Sequence, residues 1–153
     1  MLVTHENQYL DITICSSLFN ASSQVYSSPS IIVQGSLCRS VEQNVRITGV
    51  IMEGNNYGRL ISLYSIQMAE FTDIIIQNSK FGALELTYSS ILFRGNNTFS
   101  NNSAYNGGGI WLDGNSYIYM DTDSTLEIIN KHRRQLRRRD ICATITRHNV
   151  FRL

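Results

Sequence analysis

The acidic side chains that could carry out catalysis lie in the second half of the sequence. Asp113, Asp121 and Asp123 stand close together, and Glu127 follows them. A glycoside hydrolase needs two carboxylates about 5–10 Å apart across a groove, and a polysaccharide lyase pairs calcium-binding acids with a basic residue. A strand would place Asp121 and Asp123 on one face. However, residues 121–124 read Asp-Thr-Asp-Ser, which is typical of a solvated turn.

The other reactive residue types do not form a motif. Asp121-x-Asp123 does not continue into a calcium-binding loop, and the glycines at 107–109 lack the Lys-Ser/Thr of a phosphate-binding loop. The histidines are scattered, and no cysteine has zinc-ligand spacing. We therefore predict no catalytic residue, no cofactor and no metal site, and interpret the chain as noncatalytic rather than as an enzyme.

Three sequons for N-glycosylation begin at Asn20, Asn96 and Asn101. Such triplets also arise by chance in a chain rich in Asn, Ser and Thr, so both explanations stay open. Cys15 and Cys38 either form a disulfide or are two small buried thiols, while Cys142 stands alone. The sequons favour an extracellular or cell-surface location. The N-terminus has no signal-peptide pattern, so a leader is not present in this chain.

Aromatic side chains offer the remaining functional signal. Aromatic rings stack on sugar rings and are common in protein interfaces, although they also occur widely on the solvent faces of sheets. We expect an exposed face that binds a carbohydrate or protein ligand. The aromatic residues expected on it are Tyr88, Tyr105, Trp111, Tyr117 and Tyr119.

The composition divides the chain into two unlike parts. Residues 1–130 are rich in Asn, Ser, Thr, Ile, Tyr and Gly, which favours strands and turns over helices, and they carry a net charge of −6. Residues 131–153 carry eight of the thirteen basic residues. We interpret this tail as disordered or non-native, and expect no nucleic-acid partner despite its charge. No apolar run approaches the ~18–20 residues of a transmembrane segment.

Two short patterns recur in the same order. The first occupies residues 75–78 and again 99–102, an offset of 24, and the second occupies 81–84 and again 107–110, an offset of 26. A period of this length with slippage is typical of solenoids. The positions that carry the repeat are Ile75, Asn78, Gly82, Leu84, Phe99, Asn102, Gly107, Gly108, Gly109 and Ile110.

These offsets predict how successive repeats stack. Ile75 and Phe99 should share an inward column, and Asn78 and Asn102 should form an Asn ladder at a turn. Further offsets of 27 relate Ser89 to Ser116, and residues 98–99 to residues 125–126. The glycines at 107–109 should form a tight corner, with Ile110 and Leu112 pointing inward and Trp111 outward. An antiparallel sandwich is the alternative, but it does not predict recurring motifs in register.

The pair Phe99-x-x-Asn102 and Gly107-Gly-Gly-Ile110 resembles the repeat of the polymorphic outer-membrane protein family, which is marked by FxxN and GGA[ILV]. Extracellular proteins with pectate-lyase-like repeats look similar. The resemblance covers about residues 45–130. It implies an all-β, right-handed parallel β-helix in a surface or secreted setting, and it supplies no catalytic residue.

From these features we expect irregular N-terminal coils at 1–44, about four regular coils at 45–130 and a basic tail at 131–153. The function that we expect is a noncatalytic scaffold or adhesion surface of an extracellular protein. The alternative is a carbohydrate-active β-helix, a lyase or hydrolase, whose catalytic coils lie outside this chain or are degenerate here.

Overall fold

The structure is a computed structural model, and it describes residues 2–4, 10–15, 18–20, 31–34, 43–56, 59–104, 108–129 and 145–146. All regular elements in these ranges are strands, and there is no helix among them, in keeping with the predicted all-β class. Consequently, none of the described segments is a helix suited to crossing a bilayer. The strands are β1 Leu2–Thr4, β2 Leu10–Cys15, β3 Leu18–Asn20, β4 Ile31–Gln34, β5 Gln43–Thr48, β6 Ile51–Glu53, β7 Ile61–Tyr64, β8 Met68–Thr72, β9 Ile75–Gln77, β10 Leu84–Thr87, β11 Ser90–Arg94, β12 Asn96–Ser100, β13 Ile110–Asp113, β14 Tyr117–Met120, β15 Thr125–Ile129 and β16 Ile145–Thr146.

The strands form three parallel sheets, each of which takes every third strand of the chain. Sheet 1 has the order β1-β4-β7-β10-β13, and sheet 2 has the order β2-β5-β8-β11-β14. Sheet 3 has the order β3-β6-β9-β12-β15, and β16 pairs antiparallel with β15 at its end. Three consecutive strands, one in each sheet, therefore make one repeat. This arrangement is compatible with a β-helix.

The three sheets continue before the range predicted for the regular coils, residues 45–130. The described strands before residue 45 belong to the same three sheets as the later ones. Beyond residue 130, the structure describes only Ile145–Thr146. The other residues for which a disordered or non-native tail was predicted lie outside the described ranges.

The core lies on the inner side of the three sheets, where alternate residues of each strand are buried. Leu84 and Leu86 of β10 are buried, as are Ile91 and Phe93 of β11. Phe71, Phe93 and Phe99 form a run of edge-to-face rings, with centroid distances of 6.0 and 5.9 Å. This is the geometry that aromatic quadrupoles prefer, so the aromatic column contributes to both burial and register.

The register confirms some of the predicted offsets. Leu84 pairs with Ile110, as the offset of 26 requires. Ser116 lies directly beside Ser89, because the Ser89 amide donates a hydrogen bond of 3.1 Å to the Ser116 hydroxyl. Ile110 is buried as expected, and Leu112 is half-buried and packs against the core, also as expected. Trp111 is half-buried and lies in register with Glu85.

Other predicted pairs are wrong by one or two residues. Phe99 pairs with the buried Ile76, and Ile75 pairs instead with Thr98. On its other side Phe99 pairs with Ile128. This pairing is two residues further along the chain than the predicted offset of 27 requires. The physical reason is that the bends vary in length between repeats, so that a single sequence period cannot align all three sheets at once.

The predicted ladder between Asn78 and Asn102 does not form. Asn102 is buried and aligns with Ser79, whose amide donates to its side-chain oxygen at 3.0 Å. Asn78 lies one position earlier, with a left-handed φ of 57°, and its side chain donates to Glu53. Its structural equivalent is Asn101, which has a φ of 54° at the same bend.

The predicted glycine corner is partly described. Gly107 lies outside the described residues. A Cβ atom on Gly108 would lie 2.6 Å from the Asn102 carbonyl oxygen, so only glycine allows the chain to approach this closely. Gly82, at the corresponding bend of the preceding repeat, has a φ of 103°, which side chains disfavour.

Candidate recognition surface

The most developed polar cluster of the described residues lies on the outer face of sheet 1. In register, Ser62 of β7 stands beside Glu85 of β10, and Glu85 stands beside Trp111 of β13. Parallel neighbours are about 4.8 Å apart, so these three side chains form one row across the sheet. Tyr64 lies two residues after Ser62 on the same face, and Arg59 lies just before β7. We call these five residues the sheet 1 cluster.

Glu85 is the centre of the sheet 1 cluster. Its Oε2 accepts hydrogen bonds from the Ser62 hydroxyl at 3.0 Å and the Tyr64 hydroxyl at 2.9 Å. The Arg59 guanidinium forms an ion pair with the same oxygen, and its Nε also donates to the Phe81 carbonyl at 3.3 Å. Charge-assisted hydrogen bonds of this kind fix side-chain geometry. The carboxylate is therefore both neutralised and held in place.

The position of Tyr64 changes its acidity. Burial raises the pKa of the Tyr64 hydroxyl, and the hydrogen bond to Glu85 and the charge of Glu85 raise it further. Nearby Ser62 and Arg59 act in the opposite direction but do not outweigh these effects. Tyr64 thus remains a neutral hydrogen-bond donor well beyond physiological pH.

Trp111 supplies the aromatic component of the cluster. It is half-buried, and its indole Nε1 is shielded from solvent and has no hydrogen-bond partner among the described residues. A buried donor without a partner costs about 1–3 kcal/mol. The solvent-facing part of the ring lies beside the fixed Glu85 carboxylate.

A second array of charges crosses the outer face of sheet 2. Glu70 lies between Arg46, at 3.3 Å, and Arg94, and Arg94 also lies 3.6 Å from Asp121. Charges therefore alternate from one repeat to the next across four strands. Because these side chains are largely solvent-accessible, each pair contributes only about 0–1 kcal/mol. The array favours correct register more than it favours any ligand.

The predicted aromatic residues do not share one face. Trp111 lies on sheet 1, whereas Tyr117 and Tyr119 lie on sheet 2, with their ring centroids 6.4 Å apart. Tyr88 lies at the bend between β10 and β11 and is 58% exposed, with its ring against Gly114. Tyr105 lies outside the described residues.

The acidic residues considered for catalysis do not form a site. Asp121 and Asp123 belong to a turn in which the Ser124 amide donates to the Asp121 carbonyl, and Asp121 also accepts from the Thr122 amide. The turn interpretation of the sequence is therefore confirmed. Within the described ranges, no group of three His, Cys, Asp or Glu residues is arranged to hold a metal ion.

The predicted modification sites are only partly described. Asn96 is exposed and begins β12, and Asn101 is half-buried just after the same strand. Asn20 ends β3 and Cys15 ends β2, but the description of both is limited to the backbone. Cys38 lies outside the described residues, so the disulfide stays a prediction.

Sequence reasoning missed the sheet 1 cluster. Glu85 belongs to none of the motifs identified in the sequence. The useful comparison is Leu60-Ile-Ser-Leu63 with Ala83-Leu-Glu-Leu86, an offset of 23 that places Ser62 beside Glu85. Arg59 could not be assigned from this pattern, because it precedes the strand and reaches Glu85 through a long side chain.

Comparison of the chain with protein-family models, curated proteins and solved structures finds no match. The functional interpretation therefore depends on the geometry described above.

Proposed function

We propose that this chain is a stretch of right-handed parallel β-helix that acts as a noncatalytic scaffold or adhesion surface of an extracellular or cell-surface protein. In this proposal the outer face of sheet 1 recognises a carbohydrate or protein ligand. The observation that carries it is the row Ser62–Glu85–Trp111, which combines a fixed polar group with an aromatic side chain. Such combinations are typical of binding surfaces.

The chemistry of Glu85 supports recognition over catalysis. A general acid or base needs a reacting proton within reach. Glu85 is already paired with Arg59, and it accepts two further hydrogen bonds through the same oxygen. A second carboxylate does not lie beside it, because its two in-register neighbours are Ser62 and Trp111. A pair of carboxylates for glycoside hydrolysis is therefore missing from this row.

The parallel β-helix itself is supported by the order of the strands. Every third strand joins the same sheet, and all pairs among β1 to β15 are parallel. Parallel neighbours require a crossover connection, and in each repeat the other two strands provide it. The right-handed sense and the surface location rest on the resemblance of residues 99–110 to the FxxN and GGA[ILV] repeat.

A fluorescence titration tests this proposal directly, because Trp111 is the single tryptophan of the chain. The probes are a neutral oligosaccharide series, polygalacturonate, and proteins of the extracellular matrix. We expect at least one probe to change the emission of Trp111 saturably. We expect Glu85→Gln to weaken that binding about tenfold, since a charged hydrogen-bonding partner is worth about 1.5–3 kcal/mol. Glu127→Gln, an exposed carboxylate on sheet 3, is the matched control and should bind normally.

Product analysis separates the proposal from the carbohydrate-active alternative. The same polysaccharides are incubated with the protein, with and without Ca²⁺, and the products are separated by size. Intact polysaccharide is the expected result. Cleavage that depends on a divalent cation would overturn the noncatalytic proposal in favour of a lyase.

A further inference from the structure

All three predicted glycosylation sites fall on one sheet. Asn20 is the last residue of β3, Asn96 is the first residue of β12, and Asn101 directly follows β12. Both strands belong to sheet 3, in the order β12-β9-β6-β3. Sheets 1 and 2 contain no sequon in their described strands.

Two of the sequons begin with a pair of asparagines, Asn96-Asn97 and Asn101-Asn102. The two residues of each pair differ in burial. Asn97 is 1% exposed, and its side chain bonds the Ile74 amide and the Arg94 carbonyl. Asn102 is 3% exposed and bonds the Ser79 amide and the Ile76 carbonyl. The sequon residues Asn96 and Asn101 are the more exposed members of these pairs. Asn96 is exposed, and its Oδ1 accepts a hydrogen bond from the Thr125 hydroxyl at 2.9 Å, a contact that does not use Nδ2.

The register gives Asn20 a comparable position. Asn20 pairs with Glu53, Glu53 pairs with Gln77, and Gln77 pairs with Ser100. In β6, β9 and β12 this row alternates with the buried row of Met52, Ile76 and Phe99, so it is the outward row of sheet 3. Asn20 is therefore in register with this row.

The three positions lie in or directly after strands of sheet 3. At about 3.3 Å per residue, Asn96 and Asn101 are about 16 Å apart along the strand direction. Asn20 lies three strands from β12, which is about 14 Å at about 4.8 Å per strand. This face also exposes apolar side chains, since Ile51 is 41% and Ile129 is 47% exposed. Bulky, solubilising sugars at the three positions would cover these side chains.

We propose that sheet 3 is the glycan-bearing face of this protein, with N-linked oligosaccharides on Asn20, Asn96 and Asn101. This inference rests on the proposed extracellular setting. In the attachment step an oligosaccharide moves from a polyprenyl pyrophosphate donor to Nδ2 of the asparagine. The sugar C1–O bond to pyrophosphate breaks, the C1–N bond forms, and the amide nitrogen loses one proton.

Site occupancy is tested by translating the full chain behind a cleavable leader in the presence of microsomes. We expect three glycans, and we expect Asn20→Gln, Asn96→Gln and Asn101→Gln each to remove one. Asn97→Gln keeps the sequon at Asn96 and should leave three. Fewer than three glycans on the natural chain overturns the proposal. Because the leader forces entry into the secretory pathway, this result is independent of the native location and of ligand binding by sheet 1.

The position of the glycans on the folded protein is tested by hydroxyl-radical footprinting of the secreted chain before and after enzymatic removal of the sugars. We expect the glycans to protect Ile51 and Ile129 about twofold or more. Met68 on sheet 2 and Tyr88 at the bend before β11 have comparable exposures of 38% and 58%, and their labelling by hydroxyl radicals should not change. Equal protection of Met68 and Ile51 would overturn a single glycan-bearing face. If the protection is confined to sheet 3 but Trp111 binds no ligand, the proposed function fails and this inference stands.

Discussion

At the scale of single residues, the buried polar side chains at the bends connect one repeat to the next. Asn102 accepts from the Ser79 amide and donates to the Ile76 carbonyl, two backbone groups of the preceding repeat at the bend. Ser89 and Ser116 act similarly, since their hydroxyls accept from the backbone amides of Ile66 and Ser89. These side chains satisfy the backbone where the sheets are interrupted, which buried peptide groups require.

Asn102→Ala should destabilise the fold by about 1–3 kcal/mol, because it leaves the buried Ser79 amide without its side-chain partner. Urea denaturation followed by circular dichroism measures the change. Asn96→Ala, at the exposed position of the neighbouring pair, is the control and should cost less than about 1 kcal/mol. Equal losses of unfolding free energy in the two variants would show that the buried hydrogen bonds of Asn102 do not stabilise the fold.

Glu53 links folding to acid pH. Burial alone raises its pKa, but hydrogen bonds from the Asn55 amide and from the Asn78 and Gln77 side chains together outweigh burial, so the pKa lies below its ordinary value of 4.5. A carboxyl group whose pKa is lowered by folding stabilises the native state above its unfolded pKa. This contribution is lost as the pH falls through the lower, folded pKa.

We therefore expect the urea midpoint to fall as the pH is lowered below about 4.5, and we expect Glu53→Gln to reduce this dependence. The variant should be less stable than the parent at neutral pH, and the difference should shrink in acid. Denaturation curves at a series of pH values measure both effects. A difference that grows as the pH falls would contradict the assignment.

At the scale of elements, the aromatic column sets the packing between strands of different repeats. Phe93 of β11 lies between Phe71 of β8 and Phe99 of β12, in edge contact with each ring. Because β8 and β11 belong to sheet 2 and β12 belongs to sheet 3, the column joins two sheets as well as two repeats.

Phe93→Ala should cost about 3–5 kcal/mol, the range for removing a fully buried phenylalanine. The neighbouring Leu92 is half-buried on the outer face, so Leu92→Ala should cost markedly less. Thermal denaturation of both variants compares the two faces of one strand.

If Phe93→Ala does not fold, Phe93→Leu still tests the aromatic column, with an expected loss of about 1–1.5 kcal/mol in the free energy of unfolding. A larger loss in Leu92→Ala than in either Phe93 variant would contradict the inward direction of Phe93.

At the scale of the whole molecule, stability should vary along the stack of repeats. A strand of an interior repeat is paired on both sides, whereas β13 and β14 lie at the edges of their described sheets. In arrays of this kind each repeat is stabilised by its nearest neighbours. Local opening is therefore easiest at the edges, where fewer contacts must break.

Hydrogen exchange measured by mass spectrometry should show this gradient. We expect the amides of β8 and β11 to exchange most slowly, and those of β14 to exchange at least tenfold faster, a difference of about 1.4 kcal/mol in opening free energy. Phe93→Ala should accelerate exchange in both interior strands together. Uniform protection across β8, β11 and β14 would indicate a single cooperative unit instead.

The sequence alone determined the all-β class and the repeat. Leu84 aligns with Ile110, and Ser89 lies beside Ser116, as their spacing required, because inward residues recur wherever a strand must bury one face. It also identified the turn at Asp121 to Ser124, since those residue types favour turns independently of their surroundings.

Only the tertiary structure decided which residues of different repeats meet. Bends that vary in length shift the register, so that Phe99 lies beside Ile76 rather than Ile75, and Asn102 is buried while Asn101 turns outward. The same register brings Ser62, Glu85 and Trp111 together and gathers the three sequons on sheet 3. A one-residue shift moves a side chain to the opposite face of a sheet, so a period read from one sheet does not fix the pairing in the other two.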